Sequence, residues 1–488
     1  MAEAAARPEP SAGIRGEGSR IVRNSAFLTA GSFAGLALGF VSTLLITDRL
    51  GDDYGLLIGA QRFVVLFLVV ASFGLHPLLV RALAAGREDP GTLFATVLVV
   101  RAGFGALFAL LVPGIALATG YLPDARWLLL AFVAIELLGV ISETYLSLCE
   151  GFERMGRSAL ITFSRSLSTF LGVVFVTLRG GGLADFVAVY LVSQGVQLAT
   201  AMLLARGAGP RLELRVDLAR VRPLLGEAIR FVAVGLTSSA LGSLAVLALA
   251  RLATPGETAR YGAALNFLDA VVVLPILVQR VLLPVFSRLW VSGGAQEVAT
   301  RSLHVVPALL FPAGAGLWVL ADRILALYPS GAFSDAAPVL RVLALWLVCL
   351  APSYVGSTFL TGAGRLGVLV CVNLAAIALQ GLLLAAWVPG SGAQGAAGAA
   401  LVAFAFAAVA QLWACRSMGV GIPGWALLRT AAAALAMGAV LWPLRDAPLY
   451  ATVPLGALVY GLSFFAVAPR RGFERRLLGE LAAAWRRG

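Results

Sequence analysis

Lysine is absent from this sequence: all 37 basic residues are arginine. A Walker-type phosphate loop ends in Gly-Lys-Ser/Thr, so the chain holds no standard ATP- or GTP-driven pump. Schiff-base chemistry, which uses a lysine amine, is excluded as well. Histidine occurs only as His76 and His304, and neither belongs to a His-Glu-x-x-His pattern, which argues against a zinc hydrolase. Cysteine is limited to Cys149, Cys349, Cys371 and Cys415, in or at the ends of apolar stretches and without metal-type spacing. They read as small buried residues, so no disulfide, metal or other cofactor is expected. Charge is scarce too, at 13% of residues against 60% hydrophobic. A soluble chain of 488 residues would need more polar surface to cover itself. Soluble enzymes and disordered scaffolds are thereby excluded.

What is present is a series of apolar runs of the length that crosses a hydrocarbon core about 30 Å thick. They fall at 24–47, 57–83, 92–118, 127–149, 158–178 and 184–204, then, after a polar gap at 205–228, at 229–250, 261–287, 303–327, 338–361, 367–388, 395–415, 425–442 and 450–468. The expected fold is therefore an all-α integral membrane protein of about fourteen transmembrane helices. The expected organisation is an N-terminal tail (1–23), a first lobe (24–204), a linker (205–228), a second lobe (229–415), two further spans (425–468) and a basic tail (469–488). Residues 1–23 are polar and Arg-bearing, and the run that follows is too long for a signal-peptide core, so it reads as a retained first anchor.

The net charge of +12 would suit nucleic acid or an anionic substrate, but its placement indicates topology. With an even number of spans both termini share one side, and the connections on that side carry 22 arginines against six on the other. The positive-inside rule puts both termini in the cytoplasm, and no nucleic-acid partner is expected. In the tail, Phe473, Leu477, Leu481 and Trp485 recur every fourth residue among six arginines, the pattern of an interfacial amphipathic helix on an anionic leaflet.

An internal repeat is visible. Tyr54-Gly55, Pro77 and Arg81 recur as Tyr261-Gly262, Pro284 and Arg288, each offset by 207 positions, and Gly151, Arg154 and Gly156 recur as Gly362, Arg365 and Gly367, each offset by 211. The unit is six helices, so the two copies run parallel and are related by a pseudo-twofold axis along the membrane normal, with the last two helices outside the repeat. That architecture places a substrate between the lobes. Gly31, Gly35 and Gly39 form a double Gly-x-x-x-Gly on the first span, a surface for close helix packing. Gly362–Gly367 matches Gly-x-Gly-x-x-Gly but lies between two apolar spans, without the strand that a dinucleotide site requires.

Charges inside the spans are expensive and so mark function or pairing. Arg62, Arg101, Arg165 and Arg280 stand against Glu136, Glu143 and Asp269. Glu136 and Glu143 are two turns apart on one face. Asp269 occupies the repeat position of Arg62, which makes it the obvious partner for that residue, and Glu143 matches Arg101 and Arg165 in depth. The arginine excess suits a phosphate-bearing substrate, which guanidinium grips bidentately. The acids are candidates for ion coupling or for pairing. Gln194, Gln197, Asn266, Gln279 and Asn373 are candidates to line a wet cavity, or else to bond helix to helix.

The stretch Leu325–Gly398 carries Leu327-Tyr328, Gly331-Ala332-Phe333, Thr361-Gly362-Ala363-Gly364-Arg365, Asn373 and Gln394-Gly395-Ala396-Ala397-Gly398. With these motifs it resembles the oligosaccharide and polysaccharide exporters of the multidrug/oligosaccharidyl-lipid/polysaccharide flippase superfamily. Leu50-Gly51, Tyr54-Gly55 and Gly151-Phe152 extend the likeness to the front half. The resemblance implies two six-helix lobes, alternating access, and undecaprenyl-diphosphate-linked glycans as substrates, with membrane lipids and glycan polymerase or biosynthesis proteins as partners. Arg101 and Arg165 would receive the diphosphate and Arg62 would take it after the switch. Drug-exporting relatives share the fold, and some use an acid within the first span. This sequence has none there before Asp48. A lipid II flippase, a drug/cation antiporter and a membrane glycosyl polymerase are the alternatives. The short loops on the outer side disfavour the last, and the protein reads as a transporter and not an enzyme.

Overall fold

In the computed structural model, residues 33–85, 89–206 and 221–467, with short pieces at 215–217 and 219, are described. The N-terminal tail, the start of the first span, most of the linker and the basic tail lie outside them. The described residues form helices with no strand among them. They are α1 (Phe33–Leu50), α2 (Asp53–Ser72), α3 (Leu75–Ala85), α4 (Pro90–Thr119), α5 (Arg126–Gly151), α6 (Met155–Leu178) and α7 (Leu183–Ala205). There follow α8 (Val221–Leu252), α9 (Pro255–Ser292), α10 (Ala295–Val319), the short α11 (Ala321–Leu325), α12 (Ala337–Gly362), α13 (Leu366–Ser417), α14 (Gly424–Leu441) and α15 (Leu449–Val467). Among the described residues, 13 helical stretches are long and apolar enough to span a membrane. One of them, α13, is 52 residues long and is broken at Gly392. Counted as two, its halves bring the total to fourteen, and the chain is a multi-pass membrane protein.

Helix ends follow local chemistry. Asp89 caps α4 by accepting from Thr92 N–H at 2.7 Å, and Pro90 fills the first helical position, where no N–H is needed. Gly120 closes the same helix in the left-handed region, φ 62°. Thr254 and Pro255 repeat the starting device on α9.

One departure from the expected spans and one expected turn have physical causes. The apolar run 57–83 is two helices, because Phe73 and Gly74 both take positive φ (44° and 64°). A left-handed residue with a Cβ costs about 1–2 kcal/mol, and stacking of Phe73 on Phe104, centroids 4.1 Å apart, helps to hold it. In α13 the expected turn is present: its two halves reverse at Gly392, so that Ala376 of the first packs with Ala403 and Ala407 of the second. At Gly392 (φ 49°, ψ −130°) one N–H ladder ends, and Ala393 N–H donates to Glu257 Oε2 at 2.7 Å. Glu257 thus caps the second half of α13. A Cβ on residue 392 would lie 2.2 Å from that carboxylate oxygen. Gly392→Ala is therefore expected to lower the thermal midpoint of purified protein through roughly 1–2 kcal/mol of backbone strain and displacement of Glu257. An unchanged midpoint would remove Gly392 as the cause of the break.

The chain divides into two compact units, one comprising 1–49 and 63–232, the other 50–62 and 233–488. In the first, α3, α4 and α5 pack around Leu79, Leu93, Phe94, Val97 and Leu148. In the second, α12 is the central helix, packed on α9, α10 and α13. The repeat-related Tyr-Gly pairs meet inside this unit. A Cβ on Gly55 would lie 1.9 Å from the Pro255 carbonyl, and one on Gly262 would lie 2.9 Å from Tyr54 Cε1 and Ile58 Cδ1. Glycine is thus what lets the first turns of α2 and α9 cross so closely. A groove of about 580 Å³ in the same unit is lined by apolar residues, among them Phe311, Trp318, Leu345, Leu435 and Trp442.

Candidate functional site

Helix α5 carries three acids, Glu136, Glu143 and Glu150, each seven residues from the next. Seven residues are nearly two turns, so the three lie on one face about 10 Å apart. At its middle rung Arg101, on α4, donates from Nη2 to Glu143 Oε2 at 3.0 Å. Its Nη1 donates to Thr144 Oγ1 at 2.7 Å and to the Val140 carbonyl at 3.0 Å. Arg101 is 2% exposed, and its Nε is buried with no hydrogen-bond partner. The guanidinium is thus spent on α5. Read from sequence as a receiver of diphosphate, it becomes reachable only if Glu143 lets go.

At the last rung His76, in the first turn of α3, lies between the acids. Its Nε2 is 3.1 Å from Glu150 Oε2, and its Nδ1 is 2.7 Å from Ser147 Oγ and 4.0 Å from Glu143 Oε1. Ser158 on α6 donates to Glu150 Oε1 at 3.1 Å. The sequence offered no metal motif for His76, and Glu150 lies just beyond the apolar run 127–149. The seven-residue spacing that joined Glu136 to Glu143 would have reached Glu150 as well.

Near the first rung, Arg165 on α6 interacts electrostatically with Glu136. Glu136 and Gln194 both border Gly139. Gln194 is buried and donates to Gln197 Oε1 at 2.9 Å. Arg165 thus has Glu136, and not Glu143, as its acidic neighbour. Its side chain is exposed and makes no ion pair or hydrogen bond among the described residues.

The second unit contains the remaining positions. Arg62 donates to Asp269 Oδ2 at 2.7 Å, with side chains 27% and 47% exposed. The two repeat-related residues are therefore partners. Asn266 accepts from Tyr54 OH at 2.9 Å and donates to Tyr328 OH at 3.3 Å, and Tyr328 OH donates to the Ala263 carbonyl at 3.0 Å. Asn373 donates to Thr237 Oγ1 and Ser238 Oγ at 3.2 and 3.1 Å. Both asparagines are buried and hydrogen-bonded within helix packing. Gln279 is half-buried, and Arg280 beside it is exposed, with no ion pair among the described residues. No group of three or more His, Cys, Asp or Glu side chains among the described residues could hold a metal ion.

The fold is that of known transporters. A lipid II flippase MurJ in an inward closed conformation superposes with TM-score 0.74 at 13% identity, covering 92% of this chain and 99% of that one. An inward-facing multidrug resistance MATE family transporter of the MOP superfamily gives 0.61 at 15%, covering 80% and 94%. A MOP superfamily transporter from Pyrococcus furiosus, described by the reverse polarity of its binding pocket, gives 0.55 at 15%, covering 81% and 92%. At these identities the likeness is one of fold. No curated protein matches the sequence. The model of the family described as "Polysaccharide biosynthesis protein" matches residues 21–290, more than half of the chain. On that match this membrane protein belongs to the polysaccharide biosynthesis family, carried on the fold of the MOP transporters.

Proposed function

We propose that the protein is a flippase that moves undecaprenyl-diphosphate-linked oligosaccharide or polysaccharide precursors from the cytoplasmic to the outer leaflet of the inner membrane by alternating access. Both termini lie in the cytoplasm on this reading, as the arginine distribution indicates. One observation carries it. In a member of a polysaccharide biosynthesis family, Arg165 and Arg280 sit within membrane-spanning helices, exposed and without a carboxylate in ion-pair contact among the described residues. A charge at that depth is costly and is kept where it meets a partner. A diphosphate supplies the oxygens that a planar guanidinium fork binds in pairs. Arg62 and Arg101, held by Asp269 and Glu143, are reserve contacts freed when those acids are displaced. No nucleotide is needed: an inside-negative potential favours outward movement of each anionic charge by about 2.3 kcal/mol per 100 mV. Biosynthesis proteins that build the glycan, and a polymerase that extends it, are the expected neighbours in the membrane.

Binding in nanodiscs tests the reading. Undecaprenyl-diphosphate sugar is expected to bind, and undecaprenol is expected to bind at least tenfold more weakly, since a charge-assisted hydrogen bond contributes about 1.5–3 kcal/mol. Tight binding of drug cations with no dependence on the diphosphate would contradict it and favour a drug antiporter. Strong preference for the lipid II headgroup over other sugars would narrow the substrate to that lipid.

A further inference from the structure

Three polar side chains of the first unit share one depth. From Arg126 to Glu136 on α5, and from Met155 to Arg165 on α6, is ten residues; from Leu183 to Gln194 on α7 is eleven. At 1.5 Å per residue each lies about 15 Å from its helix end, near the middle of a hydrocarbon core about 30 Å thick. Helix α7 packs on both α5 and α6, so the three positions are neighbours on adjoining helices.

Glu136 is half-buried and makes no ion pair or hydrogen bond among the described residues. A carboxylate only accepts, and one left without a donor at this depth is costly and is kept where something meets it. Arg165 balances its charge electrostatically but does not bond to it. One turn along α5 stands Gly139. A Cβ there would lie 3.6 Å from Gln194 Nε2 and 3.8 Å from Glu136 Oε2. The amide and the carboxylate thus border the same bare stretch of backbone and share a notch over it. Gln194 Nε2 gives one hydrogen to Gln197 Oε1 at 2.9 Å, and its second remains to be donated.

The charges select what fits. A cation drawn to Glu136 is opposed by Arg165, and an anion drawn to Arg165 is opposed by Glu136. A group that is anionic at one end and uncharged but rich in hydroxyls at the other satisfies both. A sugar hydroxyl donates one hydrogen and accepts others, which matches a carboxylate beside an amide N–H.

We propose that Glu136, Gly139 and Gln194 form the subsite for the sugar joined directly to the diphosphate, and that this subsite takes an uncharged sugar and rejects an acidic one. The assignment rests on the flippase reading, with Arg165 holding the phosphates. Glu136 accepts from a sugar hydroxyl, Gln194 donates to one, and Gly139 leaves room for the edge of the ring. The same carboxylate repels the phosphates toward Arg165 and so fixes which way the headgroup lies.

Binding in nanodiscs to three lipids tests it: undecaprenyl-diphosphate N-acetylglucosamine, the glucuronic acid counterpart, and undecaprenyl methyl diphosphate, which keeps the diphosphate charge and lacks the sugar. Wild-type protein is expected to bind the first about tenfold or more above the other two, the factor a charge-assisted hydrogen bond supplies. Glu136→Gln is expected to remove that preference, weakening the N-acetylglucosamine lipid and strengthening the glucuronic acid lipid. Gly139→Ala, whose Cβ makes only ordinary contacts, is expected to weaken the two sugar lipids and not the methyl diphosphate. Arg165→Ala is expected to weaken all three. Equal binding of the three lipids by wild-type protein would overturn the proposal. So would a shift of all three by one factor in Glu136→Gln, which would make Glu136 a counter-charge for Arg165 and no more. Both results leave the flippase reading standing, whereas binding of none of the three would take both down.

Discussion

Arg101→Ala is expected to lower the yield of folded protein and abolish transport, whereas Arg101→Leu combined with Glu143→Leu restores the yield and not the transport. Arg101 is almost fully buried between α4 and α5. Removing it strands Glu143, and breaking a buried pair costs about 3–5 kcal/mol. Glu143 is 38% exposed, which puts the cost near the lower end. Two leucines remove the stranded charge, and replacing both members of such a pair with apolar residues is often neutral. The other partners look after themselves, since Thr144 Oγ1 donates to the Val140 carbonyl at 2.9 Å. Thermal midpoints and yields in detergent measure the first effect and lipid translocation the second. A double variant that transports at the wild-type rate would show that the pair only holds helices together.

Arg165→Ala is expected to leave folding intact and to reduce translocation at least tenfold. The side chain is exposed and makes no ion pair or hydrogen bond among the described residues, so its loss breaks no bond and takes from Glu136 only a more distant cationic neighbour. If it grips a phosphate, the lost charge-assisted bond contributes about 1.5–3 kcal/mol, a factor of roughly ten to more than a hundred. Arg165→Lys is expected to recover part of the rate, because the charge remains and the two-pronged geometry does not. Full activity in Arg165→Ala would end its role as a substrate contact.

Much of this architecture was legible in the sequence, because lipid imposes its own code: a polar backbone must be closed into helices, and helices must be long enough to cross. The repeat made Asp269 the obvious partner of Arg62, and the two meet at 2.7 Å. One local break was not legible. Phe73 and Gly74 interrupt an unbroken apolar run, and hydropathy does not register a change of backbone hand. By contrast, Pro389 and the glycines after it read as a turn, and the chain does reverse there, at Gly392. The site was half legible. The acids on α5 follow a seven-residue spacing within one helix, so two of them could be placed on one face. His76 meets Ser147 from 71 positions away, and only the packing of α3 on α5 brings them together. Local motifs carry no trace of such a contact. Nor could spacing tell that Asn266 and Asn373 bond inside the helix packing, since an amide in a span suits a cavity and a neighbouring helix equally well.

On the proposed function, this chain moves a diphosphate-linked saccharide lipid across a bilayer. The direct measurement is leaflet exchange of a fluorescent polyprenyl-diphosphate saccharide in proteoliposomes, read by quenching with an impermeant reductant. Label in the inner leaflet is expected to become accessible with wild-type protein, faster when an imposed potential drives the anion outward, and at least tenfold slower with Arg165→Ala. Accessibility no greater than in protein-free liposomes, with folded protein present and the potential applied, would contradict it.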